Sequence, residues 1–272
     1  MNDHQKAMLE ILDAIDAICK RHDIKYVLDY GTLLGAVRHS GFIPWDDDAD
    51  ISMTRENFIR FSQHADEMPD GFFIQTFETD PDYLAFLPKV RNTNIHVQEH
   101  AFKRIGVRTG LWVDIFVYDD IPNDAVERQR FLEQMQHEHN RFHFMYSVYK
   151  VPGTTGIKAV AQRLLQAKNS VLLRFDSYTR RCRSQHRKIV GLSQQFNGQS
   201  QTHIAPVSVR QTTHDLIGAI SDKHDFLDPV SLNFEGRSFP APKNYHNHLT
   251  AIYGDYMTPP PISAQHGTHN IS

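Results

Sequence analysis

Hydrophobic positions along this chain fall into two rhythms. Met8, Ile11, Leu12, Ile15, Ile18 and Cys19 recur at the spacing of an amphipathic helix, whose apolar stripe packs on the next elements of the chain. Ile24, Tyr26, Val27 and Leu28 then read as a strand, Gly31-Thr32 as a tight turn, and Leu33 to Val37 as a short helix. If Asp48-Ala49-Asp50-Ile51 is extended, its period of two sends Ala49 and Ile51 into the core and leaves both aspartates on one face. Thr54 is placed to cap a helix carrying Phe58, Ile59 and Phe61, and Asp70-Gly71 marks the next turn. Phe72 to Phe77, Leu87 to Arg91 and Gly110 to Val117 come next as strands.

Helical spacing returns from Asp124 to about Lys150. Pro152 to Gly156 breaks it, and a basic amphipathic helix runs from about Lys158 to Arg187. Strand-like segments at Ile189-Val190 and Ile204 to Val209 lead to a hairpin-like run from Phe234 to Pro240. Pro242-Lys243-Asn244-Tyr245 then opens a helix that Gly254 stops. The pattern predicts an α/β (α+β) chain with strands flanked by helices, divided into a first part at 1–123, a helical insertion at 124–187 and a C-terminal part at 188–272.

At 272 residues, 40% hydrophobic and 22% charged, the chain can bury a substantial core. A net charge of −3 argues against a general nucleic-acid binder, which carries a basic face. The 17 histidines make that charge sensitive to acidification below pH 7. Cys19 and Cys182 are too few for a disulfide scaffold or a zinc site, so a reducing compartment is expected. The N-terminus lacks a signal-peptide pattern and no apolar run is long enough to span a membrane, so the expected location is the cytoplasm, with peripheral contact at the inner membrane surface. Arg180, Arg181 and Arg183 are the expected contacts with anionic lipid or glycan.

Chemistry concentrates between Gly31 and Ile51. Asp46, Asp47, Asp48 and Asp50 stand together there, and so much like charge is unfavourable unless it is solvated or neutralised by cations. One reading makes Asp48 and Asp50 a claw for a hard divalent ion, Mg2+ above all; the other is an acidic surface turn. An EF-hand is excluded, since counting from Asp46 puts Ile51 at the glycine position and Asn57 at the glutamate position. Lys89 and Arg91 lie two apart, either as a solvated pair or as a clamp on phosphates. Asp114 sits inside an apolar strand and requires a partner, in a structural salt bridge or at an active site. Asp119 and Asp120 read as loop residues. His137/His139 and His246/His248 read as ordinary polar positions rather than zinc ligands.

The stretch GTLLGAVRHSGFIPWDDDADI resembles the signature block of the LicD family of phosphocholine transferases, which includes the fukutin-type enzymes and has a nucleotidyltransferase fold. A similar K-x-R stretch, Asp114 in G-L-W-V-D-I-F, and the run FEGRSFPAPKNYHNHLTAIYGDYMTPPP extend the resemblance to both ends of the chain. The resemblance implies a nucleotidyltransferase-like mixed sheet and a metal site of Asp48, Asp50 and Asp114 holding Mg2+, with Mn2+ as the alternative ion. It implies substrate binding by Gly31, Thr32, Arg38, His39, Trp45, Lys89, Arg91, Trp112 and Lys243. The implied reaction moves phosphocholine from CDP-choline to a hydroxyl of a lipopolysaccharide or teichoic-acid type glycan, free or lipid-linked, and releases CMP. CDP-ribitol, CDP-glycerol and CDP-ethanolamine are alternative donors. A DxD glycosyltransferase acting on an NDP-sugar, a true nucleotidyltransferase and a non-enzymatic acidic module are the rivals.

Overall fold

The opening stripe forms α1 (Asp3–Arg21) in a computed structural model of the chain that describes residues 1–97, 107–146, 156–209 and 213–267. A capping box starts it: the Asn2 side chain accepts the Gln5 amide, and the Gln5 side chain accepts the Asn2 amide. Met8, Ile11, Leu12 and Ile15 are fully buried. Each removes enough apolar surface from water to contribute roughly 1.5–3 kcal/mol.

Next come β1 (Val27–Leu28), α2 (Tyr30–His39), β2 (Asp50–Thr54), α3 (Arg55–Ser62), β3 (Phe72–Gln75), β4 (Lys89–Asn92) and β5 (Leu111–Ile121). The strands lie side by side in the order β1-β2-β5-β4-β3. β2 runs parallel to β5, and the other neighbours are antiparallel. Ile51, Met53, Val90, Val113, Ile115 and Val117 fill the core shared with α1. The opposite face of these strands carries Asp50, Lys89 and Asp114.

Three expectations change here. Gly31 and Thr32 are not a turn: they belong to the first turn of α2, whose N-cap is Asp29. Asp48 lies before β2, so strand periodicity does not place it. Asp119 and Asp120 are not loop residues, because β5 continues through them; they are 0% and 4% exposed. A buried carboxylate needs a cation. Asp119 takes a two-pronged pair from Arg55 at 2.9 and 2.7 Å, and Asp120 takes Lys223 at 2.8 Å.

α4 (Ala125–Met145), α5 (Gly156–Leu172) and α6 (Asp176–Ser193) come after the sheet strands. The basic segment expected as one helix is therefore two, parted at 173–175. Ile189-Val190 lies in the last turns of α6 rather than in a strand, because Ile189 is fully buried in a second core with Phe131, Met135, Phe142 and Cys182. That packing outweighs β propensity. The break expected at 152–155 lies outside the described residues. Arg183 pairs with Asp82 at 2.8 Å.

β6 (His203–Ala205) joins the Asp119–Ile121 end of β5. α7 (Thr213–Gly218), β7 (Ser221–Asp222) and α8 (Lys223–Leu227) lead to the hairpin β8 (Val230–Phe234) and β9 (Arg237–Ala241). α9 (Tyr245–Tyr253) ends at Gly254, whose φ of 69° suits a residue without Cβ, and packs against α2. Among the described residues no helix is long and apolar enough to cross a membrane.

Candidate active site

Sheet register builds the centre of the site. Asp50 of β2 pairs with Asp114 of β5, and Asp114 pairs on its other side with Lys89 of β4. Three side chains thus form a row across three strands. Asp48 reaches the same place from the loop before β2: carboxylate oxygens of Asp48, Asp50 and Asp114 all lie within 4.8 Å of one another. Asp50 and Asp114 are buried and Asp48 is half-buried.

Asp114 is held at both oxygens. Its Oδ1 pairs with Lys89 Nζ at 2.6 Å, and its Oδ2 accepts Trp112 Nε1–H at 2.9 Å. The Lys89 ammonium also lies 4.4 Å from the Trp112 ring centroid. Asp50 has its amide fixed by donation to Thr32 Oγ1 at 2.8 Å. Burial, followed by repulsion from Asp48, Asp114, Asp46 and Asp29, drives its carboxyl well above the usual carboxylate range. Asp46 is likewise pushed up to about 8, by burial first and by Asp48 next.

Gly31 makes room for the cluster. A Cβ at this position would stand 2.8 Å from Asp46 Oδ2 and 4.0 Å from Asp50 Oδ2, so a larger residue would have to push the Asp46 carboxyl aside. The positive end of the α2 dipole then faces the acids. The oxygen-only donor set and this cradle fit Mg2+ or Mn2+.

Sequence reasoning missed the residue that aims α2. Asp29 is fully buried; its Oδ1 accepts the Tyr30 amide at 2.7 Å and meets His248 Nε2 at 2.7 Å, while its Oδ2 accepts the hydroxyls of Ser52 and Tyr118. Burial alone would raise its carboxyl, but His248, Ser52 and the Tyr30 amide outweigh that and hold it below the ordinary value. His248 is therefore no ordinary polar position; Ser221 Oγ lies 3.0 Å from its Nδ1. His139 is also buried, with Nε2 at the Val207 carbonyl. An aspartate just before a helical segment is a legible capping signal for Asp29. His248, 219 residues away, has no local signal.

The remaining expected site residues separate. Lys89 is in the centre as the partner of Asp114. Arg91 lies against the same Trp112 ring as Lys89, but it is 0% exposed and donates to the Gln75 side chain and, at 2.8 Å, to the Gly110 carbonyl, so its guanidinium is committed within the protein. Trp112 is 1% exposed, its indole committed to Asp114, so its face is closed to a ligand. Arg38 donates to the Tyr256 carbonyl at 3.0 Å, tying α2 to the C-terminal segment. His39 stands edge-on to the half-buried Trp45 at 6.3 Å. Lys243 is exposed and paired with Asp228 at 2.5 Å, not with the acidic cluster.

An acidic centre on adjacent strands of a mixed sheet, under the N-terminus of a helix, defines a nucleotidyltransferase-type domain. A family model described as LicD/FKTN/FKRP, nucleotidyltransferase domain, matches residues 23–155. Lipopolysaccharide cholinephosphotransferase LicD of Haemophilus influenzae is 30% identical over 99% of this chain and 96% of that protein. Ribitol 5-phosphate transferase FKRP of Mus musculus is 27% identical over 40% of this chain and 23% of that protein. The chain belongs to the LicD/FKTN/FKRP family.

Proposed function

We propose that this protein transfers phosphocholine from CDP-choline to a hydroxyl of a cell-surface glycan of the lipopolysaccharide or teichoic-acid type, releasing CMP, with Mg2+ (or Mn2+) at Asp48, Asp50 and Asp114. The observation that carries the reading is the convergence of those three carboxylates from two strands and a loop. The names of two relatives support the reaction class. One is a cholinephosphotransferase of lipopolysaccharide and the other transfers ribitol 5-phosphate, so the shared element is a phosphoalcohol moved as a unit.

The bound ion supplies charge neutralisation for the donor's diphosphate and for the departing CMP. Asp48 and Asp50 would hold it. Asp114, with Lys89 on one oxygen and Trp112 on the other, is a positioned ligand and a poor proton acceptor. The α2 N-terminus, fixed by Asp29, offers backbone N–H groups to phosphate oxygens. A quaternary ammonium cannot donate hydrogen bonds, so choline needs aromatic faces. Tyr30 and Phe116, half-buried with ring centroids 4.3 Å apart, offer such faces; Phe116 lies two residues beyond Asp114 on the same face of β5.

Incubation with Mg2+, lipopolysaccharide and CDP-choline, CDP-ethanolamine, CDP-ribitol or CDP-glycerol tests the reading by CMP release. CDP-choline should be the preferred donor, with turnover lost in Asp48→Asn and Asp50→Asn. Preference for CDP-ribitol would move the head group toward that of the mouse relative. No CMP from any donor would overturn the proposal.

A further inference from the structure

α5 carries apolar residues on its solvent side as well as its inner side, unlike an ordinary surface helix. At about 100° per residue, Val160, Leu164 and Val171 fall within about 40° of one another. This apolar stripe points to solvent, at 56%, 68% and 55% exposed. The inward side is mixed: Leu165 and Leu172 are half-buried there, and the fully buried Asn169 donates to the Phe144 carbonyl at 3.2 Å, near Tyr178, whose hydroxyl donates to the Met145 carbonyl at 3.0 Å. Phe144 and Phe175, 62% and 58% exposed, lie at the neighbouring end of α4 and just beyond α5.

Charge identifies what would cover such a stripe. On the helix, Arg163 and Lys168 flank it on opposite sides, both exposed, with the Lys168 ammonium 4.1 Å from the centroid of the exposed Phe144 ring. From His139 to Phe175 the sequence contains no Asp or Glu and six Lys or Arg. A second copy of the chain is a poor occupant, because a two-fold contact sets the same cations against each other. At 17 residues, with cations along its length, α5 is not a span. An apolar stripe between basic flanks is the pattern of a helix lying in the membrane–water interface, where long basic side chains reach the headgroups.

We infer that α5 anchors the protein to an anionic phospholipid surface, with Val160, Leu164 and Val171 in the interfacial layer and Arg163 and Lys168 on lipid phosphates. The inference stands apart from the proposed chemistry, since α5 contributes no residue to the acidic centre. It adds α5 to the basic face expected on α6, where Arg183 is paired with Asp82 and Arg180 and Arg181 are exposed.

Vesicle co-sedimentation of the full chain tests it, using phosphatidylcholine alone or with about one-third phosphatidylglycerol. The wild type should bind the anionic vesicles and lose binding as salt is raised. Arg163→Gln with Lys168→Gln and with Arg174→Gln, the exposed arginine just beyond the end of α5, should weaken that binding by roughly 100-fold, from the attraction of three basic residues to such a surface. Val160→Ser with Leu164→Ser and Val171→Ser should lower it at every salt concentration. All six positions are exposed or half-exposed, and an unchanged circular dichroism spectrum establishes that each variant is folded. Equal sedimentation of wild type and both variants, or binding indifferent to phosphatidylglycerol, would overturn the inference. So would a wild-type dimer that ignores vesicles and dissociates in the triple-serine variant.

Discussion

Gly31→Ala separates the geometry of the acidic centre from the stability of the fold. Gly31 lies in the first turn of α2, where alanine is favoured over glycine by about 1 kcal/mol of helix propensity. Its new methyl would sit 2.8 Å from Asp46 Oδ2, well inside an ordinary contact of about 3.5 Å. The backbone of Asp46 cannot retreat easily: its amide donates to the Ile43 carbonyl at 2.9 Å and its carbonyl accepts Gln5 Nε2 at 3.2 Å. The carboxyl must swing instead, disturbing its hydrogen bond with Asp48. A displacement near 1 Å at a reacting centre costs on the order of 100-fold, or about 2.7 kcal/mol of transition-state stabilisation. The expected outcome is a kcat/KM for CDP-choline lower by about 10- to 100-fold and a Mg2+ titration shifted to higher concentration. The melting temperature should be unchanged or about 2 °C higher. Wild-type kinetics with the same Mg2+ midpoint, or activity lost only in step with a large fall in melting temperature, would refute the reasoning.

Other consequences can be checked by unfolding. Lys89→Met leaves the Asp114 carboxylate buried without its ammonium and should cost about 3 kcal/mol in EDTA. Mg2+ should restore more stability to this variant than to the wild type, and equal gains would contradict the shared site. Arg55→Met strands Asp119, which keeps Asn197 as a partner but loses both guanidinium bonds; urea unfolding should show a loss of about 3–5 kcal/mol, and a loss under 1 would remove the bridge from the account. Burial lowers His186 to about 4, so between pH 6.5 and 4 the unfolded chain binds the proton that the folded chain refuses, and stability falls as pH falls. His186→Phe, stacked on Phe86 in place of the imidazole, should flatten that slope by up to about 3 kcal/mol across the window, and an unchanged slope would assign it elsewhere.

Periodicity makes α1, α3 and the hairpin legible, because each buries its own stripe or alternates against a neighbouring strand. Asp48, Asp50 and Asp114 are legible for the opposite reason: carboxylates crowded together, or set in an apolar strand, defy the pattern and demand an explanation. Arg91, Asp119 and Asp120 mislead because their partners, Gln75, Arg55 and Lys223, come from segments that only the fold brings near. Ile189-Val190 misleads because a short apolar pair has no period of its own, and the second core decides its conformation. The aromatic faces are illegible in the same way, since nothing local distinguishes the enclosed Trp112 from the accessible Phe116.

The bond between Asp29 and His248 joins positions 219 residues apart. During synthesis at about 5–20 residues per second, the helix start beside the acidic pocket waits roughly 10–45 seconds for the segment that secures it. A nascent chain therefore carries its aspartates long before the helix start beside them is secured, and a chain stopped short of α9 would leave the ribosome with a sheet but without His248 to fix Asp29.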